Sequence, residues 1–170
     1  MEVVGKMLAH FHKRHLLMEL FILAALVYFF IFFFIRWPLI EGTIPTHFNF
    51  SGQPDAWGDK SSLLVVLIIS LVIYLLITAV ELFPRLWNFP VALTDNNRQT
   101  LVAMSLDLLI MIKLLVVLVF ALIAYWSITI QQMPVWFLPL FLVLLFGVIG
   151  LSLGRMVRYS SRLKTAQSEQ

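Results

Sequence analysis

The 170-residue chain is 61% hydrophobic and only 12% charged, with a mean hydropathy of +0.96 and a net charge of +3. A soluble domain is near half apolar and a quarter charged, so this composition excludes a water-soluble fold and makes lipid the solvent for most of the surface. The absence of cysteine removes disulfides, thiol nucleophiles and cysteine-held metals.

Residues 1–15 form a basic tail with Lys6, Lys13 and Arg14 and with His10, His12 and His15. Its chemistry suits a headgroup anchor better than a metal site. The first apolar run, 16–35, is too long for a cleaved signal peptide and has no small-residue cleavage site after it, so it reads as a retained signal-anchor. Three further runs, 63–83, 101–127 and 134–153, also reach the roughly 20 helical residues that a hydrocarbon core requires. The expected fold is therefore all-α: a four-span transmembrane helical bundle over 16–153, followed by a basic tail over 154–170.

Lys and Arg are distributed unequally between the two sides. The N-terminal tail, the connection after span two (Arg85, Arg98) and the C-terminal tail (Arg155, Arg158, Arg162, Lys164) together carry nine. The other side carries two, Arg36 and Lys60. The positive-inside rule then places both termini in the cytoplasm and the connection between spans one and two outside. Trp37, Trp126 and Trp136 fall at outer span ends, Trp57 in the outer loop and Trp87 just past the inner end of span two. Those positions are where indoles favour the headgroup level. The expected location is a bacterial plasma (inner) membrane, with anionic headgroups and no nucleic acid among the partners.

The outer connection contains a polar island over 44–60, IPTHFNFSGQPDAWGDK. Pro45 and Pro54 pre-set the backbone, Gly52 and Gly58 suit turn positions, and Asp59 or Ser61 suits the N-cap of span two. Phe48, Phe50 and Trp57 can dip into the interface, so the island reads as an ordered loop. His47, Asp55 and Asp59 carry the nitrogen and oxygen donors of a candidate metal site. The competing reading has His47 and Asn49 bonding loop carbonyls and holding the turn together.

The residues Pro45, His47, Phe48, Asn49, Gly52, Asp55, Trp57, Gly58 and Lys60 follow the order P-x-H-F-N-x-x-G-x-x-D-x-W-G-x-K. In this the chain resembles a bacterial domain of unknown function found at the start of SdpI-like immunity proteins, which protect against a sporulation-delaying toxin. Pro84, Asn88, Pro90, Thr94 and Asn97 resemble a second stretch of that family. The likeness implies a stand-alone form of the domain. It also implies a non-catalytic immunity or envelope-protection role played through the outer loop, with a membrane-active peptide toxin or a membrane protein as partner.

The bland reading of 88–100 is a cytoplasmic turn in which Pro90 stops the preceding element and Thr94 or Asp95 caps span three. Lys113 lies inside that span, where a charge costs about 2.5–3.5 kcal/mol on insertion scales. Asp107, six residues earlier, sits on a different helical face, so Lys113 is expected to snorkel toward Asp107 or toward Glu81. A small transporter or signalling subunit using Lys113 and Asp107 is the alternative function, and a metal-dependent membrane enzyme centred on His47 is a third. Gly150-x3-Gly154 suits close helix packing, a homodimer being one use. No nucleotide-binding, zinc-protease or serine-hydrolase motif is present, so neither an enzyme nor a cofactor is expected.

Overall fold

A computed structural model describes residues 11–168 of the chain. Its helices are α1 (Lys13–Arg36), α2 (Ser62–Leu82), α3 (Arg98–Thr129) and α4 (Phe137–Ser168), with a two-stranded antiparallel sheet, β1 (Thr43–Phe48) and β2 (Pro54–Asp59), between the first two. All four helices are long and apolar enough to cross a membrane. This is the build of an integral membrane protein. Lys6 and His10 of the basic tail lie outside the described residues.

Two boundaries differ from expectation. The polar island, expected as an ordered loop, is a β-hairpin, because its prolines and bulge still leave room for paired strands. The last helix also runs on through the basic segment to Ser168, past the end of the apolar run. Helix formation there needs no lipid: 154–168 contains no proline, and Arg158, Ser161 and Thr165 bond to carbonyls four residues back.

α3 is the strut on which α1, α2 and α4 each pack. Its buried residues Leu106, Ile110, Lys113, Val117 and Ala124 recur at steps of three, four and seven residues, which is one face of a helix. They meet Ile22, Leu26, Phe29 and Phe33 of α1 and Leu63 and Leu67 of α2. Outside this seam the helices expose Leu, Ile, Val and Phe along their length, as contact with acyl chains requires. An apolar groove of about 680 Å³ runs between α1 and α2, with Phe30, Phe34, Leu71 and Tyr74 among its walls. α4 is the least enclosed helix. At one end the Trp126 and Phe137 rings meet edge-on at 4.6 Å; toward the other, Ser105 faces the Met156 sulfur and the Tyr159 hydroxyl donates to Thr100.

α3 ends in a left-handed residue, Ile130 (φ 52°), with Ile130 N–H on Ser127 O and Gln131 N–H on Trp126 O. That is a Schellman-type stop, made unusually by a β-branched residue.

Candidate functional site

The hairpin is built by the residues that the sequence motif singled out. Asn49 Oδ1 accepts from both Ser51 N–H and Gln53 N–H at 2.9 and 3.0 Å, closing the turn between the strands. Ile44 pairs with Gly58 and Pro45 with Trp57, and a bulge shifts the register before His47 pairs with Ala56. Ile44 and Pro45 are fully buried against the bundle. Phe48 packs on Trp126, Met133 and Phe137, which seats the hairpin over the 130–136 connection.

Gly52 fixes that seating. Its backbone is left-handed (φ +74°), its carbonyl accepts from Met133 N–H at 2.8 Å, and a Cβ would overlap the Met133 carbonyl oxygen. Only glycine satisfies both demands. On the other flank, Lys60 Nζ donates to Trp37 O (3.4 Å) and Ile40 O (3.2 Å) and stands 5.4 Å from the Trp37 ring. A lysine there binds carbonyls that follow the end of α1. Asp59 Oδ1 accepts from Ser61 N–H at 2.8 Å in the turn just before α2; Ser61 holds the N-cap position, and its side chain makes no capping bond. That backbone bond, helped by the Ser61 hydroxyl, holds the Asp59 carboxyl below the usual carboxylate range.

Of the three candidate metal donors, His47 and Asp55 come together, Nδ1 to Oδ1 at 2.5 Å, and Asp59 is engaged with the Ser61 N–H. Among the described residues no group of three His, Asp or Glu side chains is placed to hold a metal ion. What the hairpin presents outward is the His47–Asp55 pair with Phe50 (77% exposed) and Trp57 (52%).

In the second stretch, Asn97 is the working residue. It precedes α3, its Oδ1 accepts from Thr94 N–H and its amide donates to Ala92 O. The side chain of neither Thr94 nor Asp95 caps the helix: Thr94 contributes its carbonyl, to Asn97 and Arg98 N–H. Asn88 and Pro90 stay exposed on the connection. Trp87 Nε1 donates to Val80 O at the end of α2.

The intramembrane charge has other partners than Asp107. Lys113 is fully buried, and its Nζ meets Glu81 Oε2 at 2.5 Å, Glu19 Oε2 at 2.6 Å and Thr78 Oγ1 at 3.1 Å, 5.2 Å from the Tyr74 ring. Asp107 is taken by Arg14 and His15, each at 2.9 Å, because six residues on a helix turn it away from Lys113. Glu81 was one of the two expected partners and Glu19 was not. Its signal was in the sequence: Glu19 is the lone acid within the first apolar run, and a buried acid calls for a buried base.

Residues 20–72 match the family model of a domain of unknown function, DUF1648. The match spans α1 beyond Glu19, the whole hairpin and the first half of α2. Glu81, the Asn97 turn and Lys113 lie beyond it. Neither the curated proteins nor the solved structures gave a match.

Proposed function

We propose that this is a non-catalytic protein of the bacterial inner membrane, an SdpI-like immunity or envelope-protection protein with both termini in the cytoplasm and the hairpin on the outer face. The observation that carries this reading is the division of labour in the hairpin. Asn49, Gly52, Asp59 and Lys60 are consumed in building and seating it, whereas Phe50, Trp57, His47 and Asp55 remain exposed on it.

A seated hairpin loses little freedom on binding. Two exposed aromatic rings supply apolar contact at low entropic cost. Asp55, with the exposed Glu41 and Asp59 on the same connection, favours a cationic ligand. A cationic, membrane-active peptide arriving at the outer surface fits all three features.

The test is protection of a sensitive bacterium against such a peptide, with membrane insertion matched between variants. Wild type is expected to protect, and the His47→Ala/Asp55→Ala and Trp57→Ala variants to lose protection. Full protection by both variants would remove the hairpin from the mechanism.

A further inference from the structure

α1 and α2 both pack on α3 and scarcely on each other, so the apolar groove between them stays open along its length. Leu26, Phe30 and Tyr74 form its floor, and the more exposed Val27 and Leu71 stand on its two walls. Every lining side chain is aliphatic or aromatic, and Tyr74 alone carries a polar group. On α1 the groove runs from Leu23 to Ile35, about 18 Å at 1.5 Å per residue, close to the depth of one leaflet in a core of about 30 Å. A volume of about 680 Å³ over that length is a mean cross-section of about 40 Å². A helix with its side chains is about 10–12 Å across and needs about twice that area. Hydrocarbon chains lying along the two helices fit this space, and a neighbouring helix does not. Lipid gives α1 and α2 no hydrophobic reason to close up, so what an occupant gains is dispersion contact along floor and walls.

The groove ends beside a cation. Phe30, Phe34 and Trp37 follow one another at steps of four and three along α1, so Trp37 continues the groove's face toward the hairpin. Lys60, in the turn just before α2, reaches across to the Trp37 and Ile40 carbonyls, which places its ammonium over the gap between the two helices. Two of its three protons are held by these neutral carbonyls. The third has no acceptor, and the charge no paired carboxylate, among the described residues. Arg36 is at a similar depth but serves another side of α1: it stands 5.7 Å from the Phe32 ring, which meets Tyr125 of α3. Glu41 and Asp59, the exposed chain neighbours of Ile40 and Lys60, disfavour a purely anionic headgroup and favour one that also carries an ammonium.

We propose that the groove between α1 and α2 binds a phospholipid of the leaflet beside the hairpin. Its acyl chains lie along Leu26, Phe30 and Tyr74, its phosphate sits on Lys60, and a headgroup ammonium faces Glu41 and Asp59. The ligand class is therefore an ethanolamine-type glycerophospholipid. The site is separate from the exposed face of the hairpin and stands whether or not that face binds a peptide.

The test is native mass spectrometry of the full chain in detergent micelles supplied with palmitoyl-oleoyl phosphatidylethanolamine or with phosphatidylglycerol of the same chains. Wild type is expected to retain one phosphatidylethanolamine and to hold phosphatidylglycerol several-fold more weakly. Val27→Trp/Leu71→Trp fills the groove from positions that are already exposed and is expected to lose the bound lipid. Val143→Trp, at an exposed site on α4, is expected to keep it. Lys60→Met is expected to weaken binding about tenfold, the effect of one charged hydrogen bond, and Arg36→Gln to leave it unchanged. Circular dichroism checks that each variant remains helical. A wild type that retains no phosphatidylethanolamine, phosphatidylglycerol held as tightly, or a tryptophan pair that retains lipid as well as wild type would overturn the proposal. So would equal losses from Lys60→Met and Arg36→Gln, or a wild-type dimer that the tryptophan pair dissociates, since a second copy would then fill the groove.

Discussion

Gly52 and Gly42 share a left-handed backbone, φ +74° and +70°, but not their surroundings: a Cβ on Gly42 meets nothing within 4 Å, while one on Gly52 would come 2.8 Å from the Met133 carbonyl carbon and closer still to its oxygen. Alanine at either position incurs the left-handed strain of about 1–2 kcal/mol. At Gly52 it must in addition push the 130–136 connection away. That breaks the Met133 N–H to Gly52 O bond, a net loss of about 1 kcal/mol. It also opens the contact of Met133 and Phe48 with Trp126 and Phe137, another 1–2 kcal/mol or so for partly exposed apolar groups. The two substitutions should therefore differ by about 2–3 kcal/mol, or roughly 30- to 150-fold in an opening equilibrium. Hydrogen–deuterium exchange of peptides covering 48–53 and 130–136 reads that equilibrium directly. Gly52→Ala is expected to accelerate exchange in both peptides and Gly42→Ala in neither by more than about tenfold. Equal effects from the two alanines, or a Met133 amide as protected in Gly52→Ala as in wild type, would refute the claim that close backbone approach seats the hairpin.

Three further outcomes are expected. Lys60→Met removes two carbonyl contacts and a cation–π contact at the end of α1 and should cost about 1–2 kcal/mol, seen as a lower thermal midpoint and faster exchange over 36–41. Ile130→Gly relieves the left-handed strain at the end of α3 and should raise stability by about 1 kcal/mol; a lower midpoint would argue against the Schellman stop. Lys113→Met leaves two buried carboxyls without their ammonium and should cost about 3–5 kcal/mol, whereas the triple change Lys113→Met, Glu19→Gln, Glu81→Gln should recover most of that loss in the same unfolding assay.

Much of this was legible in the sequence because lipid simplifies the problem. Four runs of about 20 apolar residues have few alternatives to spanning helices, and the helices match those runs closely except where α4 continues past Leu153. That continuation was hidden because the expectation tracked hydropathy, and a polar helix without a lipid-facing run looks like a tail. The hairpin was visible as an ordered polar segment but not as strands, since Pro45, Pro54 and two glycines speak against a regular ladder and the bulge after Pro45 accommodates them. Partner identities were the least legible. Glu19 and Lys113 are 94 positions apart, and only the packing of α1 on α3 could show that they meet. Met133 as the seat for Gly52 was beyond sequence reasoning, because backbone recognises backbone there and leaves no side-chain signature.

The Glu19–Glu81–Lys113 cluster also sets a timetable for assembly. Its members leave the ribosome in that order, one on each of the first three helices, with the base last by 32 residues. Until Lys113 is delivered, the first helical hairpin carries two acids without the ammonium that both of them contact. Commitment of α1 and α2 to their final depth therefore waits on the arrival of α3, and a chain cut before position 113 is a substrate for quality control rather than a smaller version of the protein.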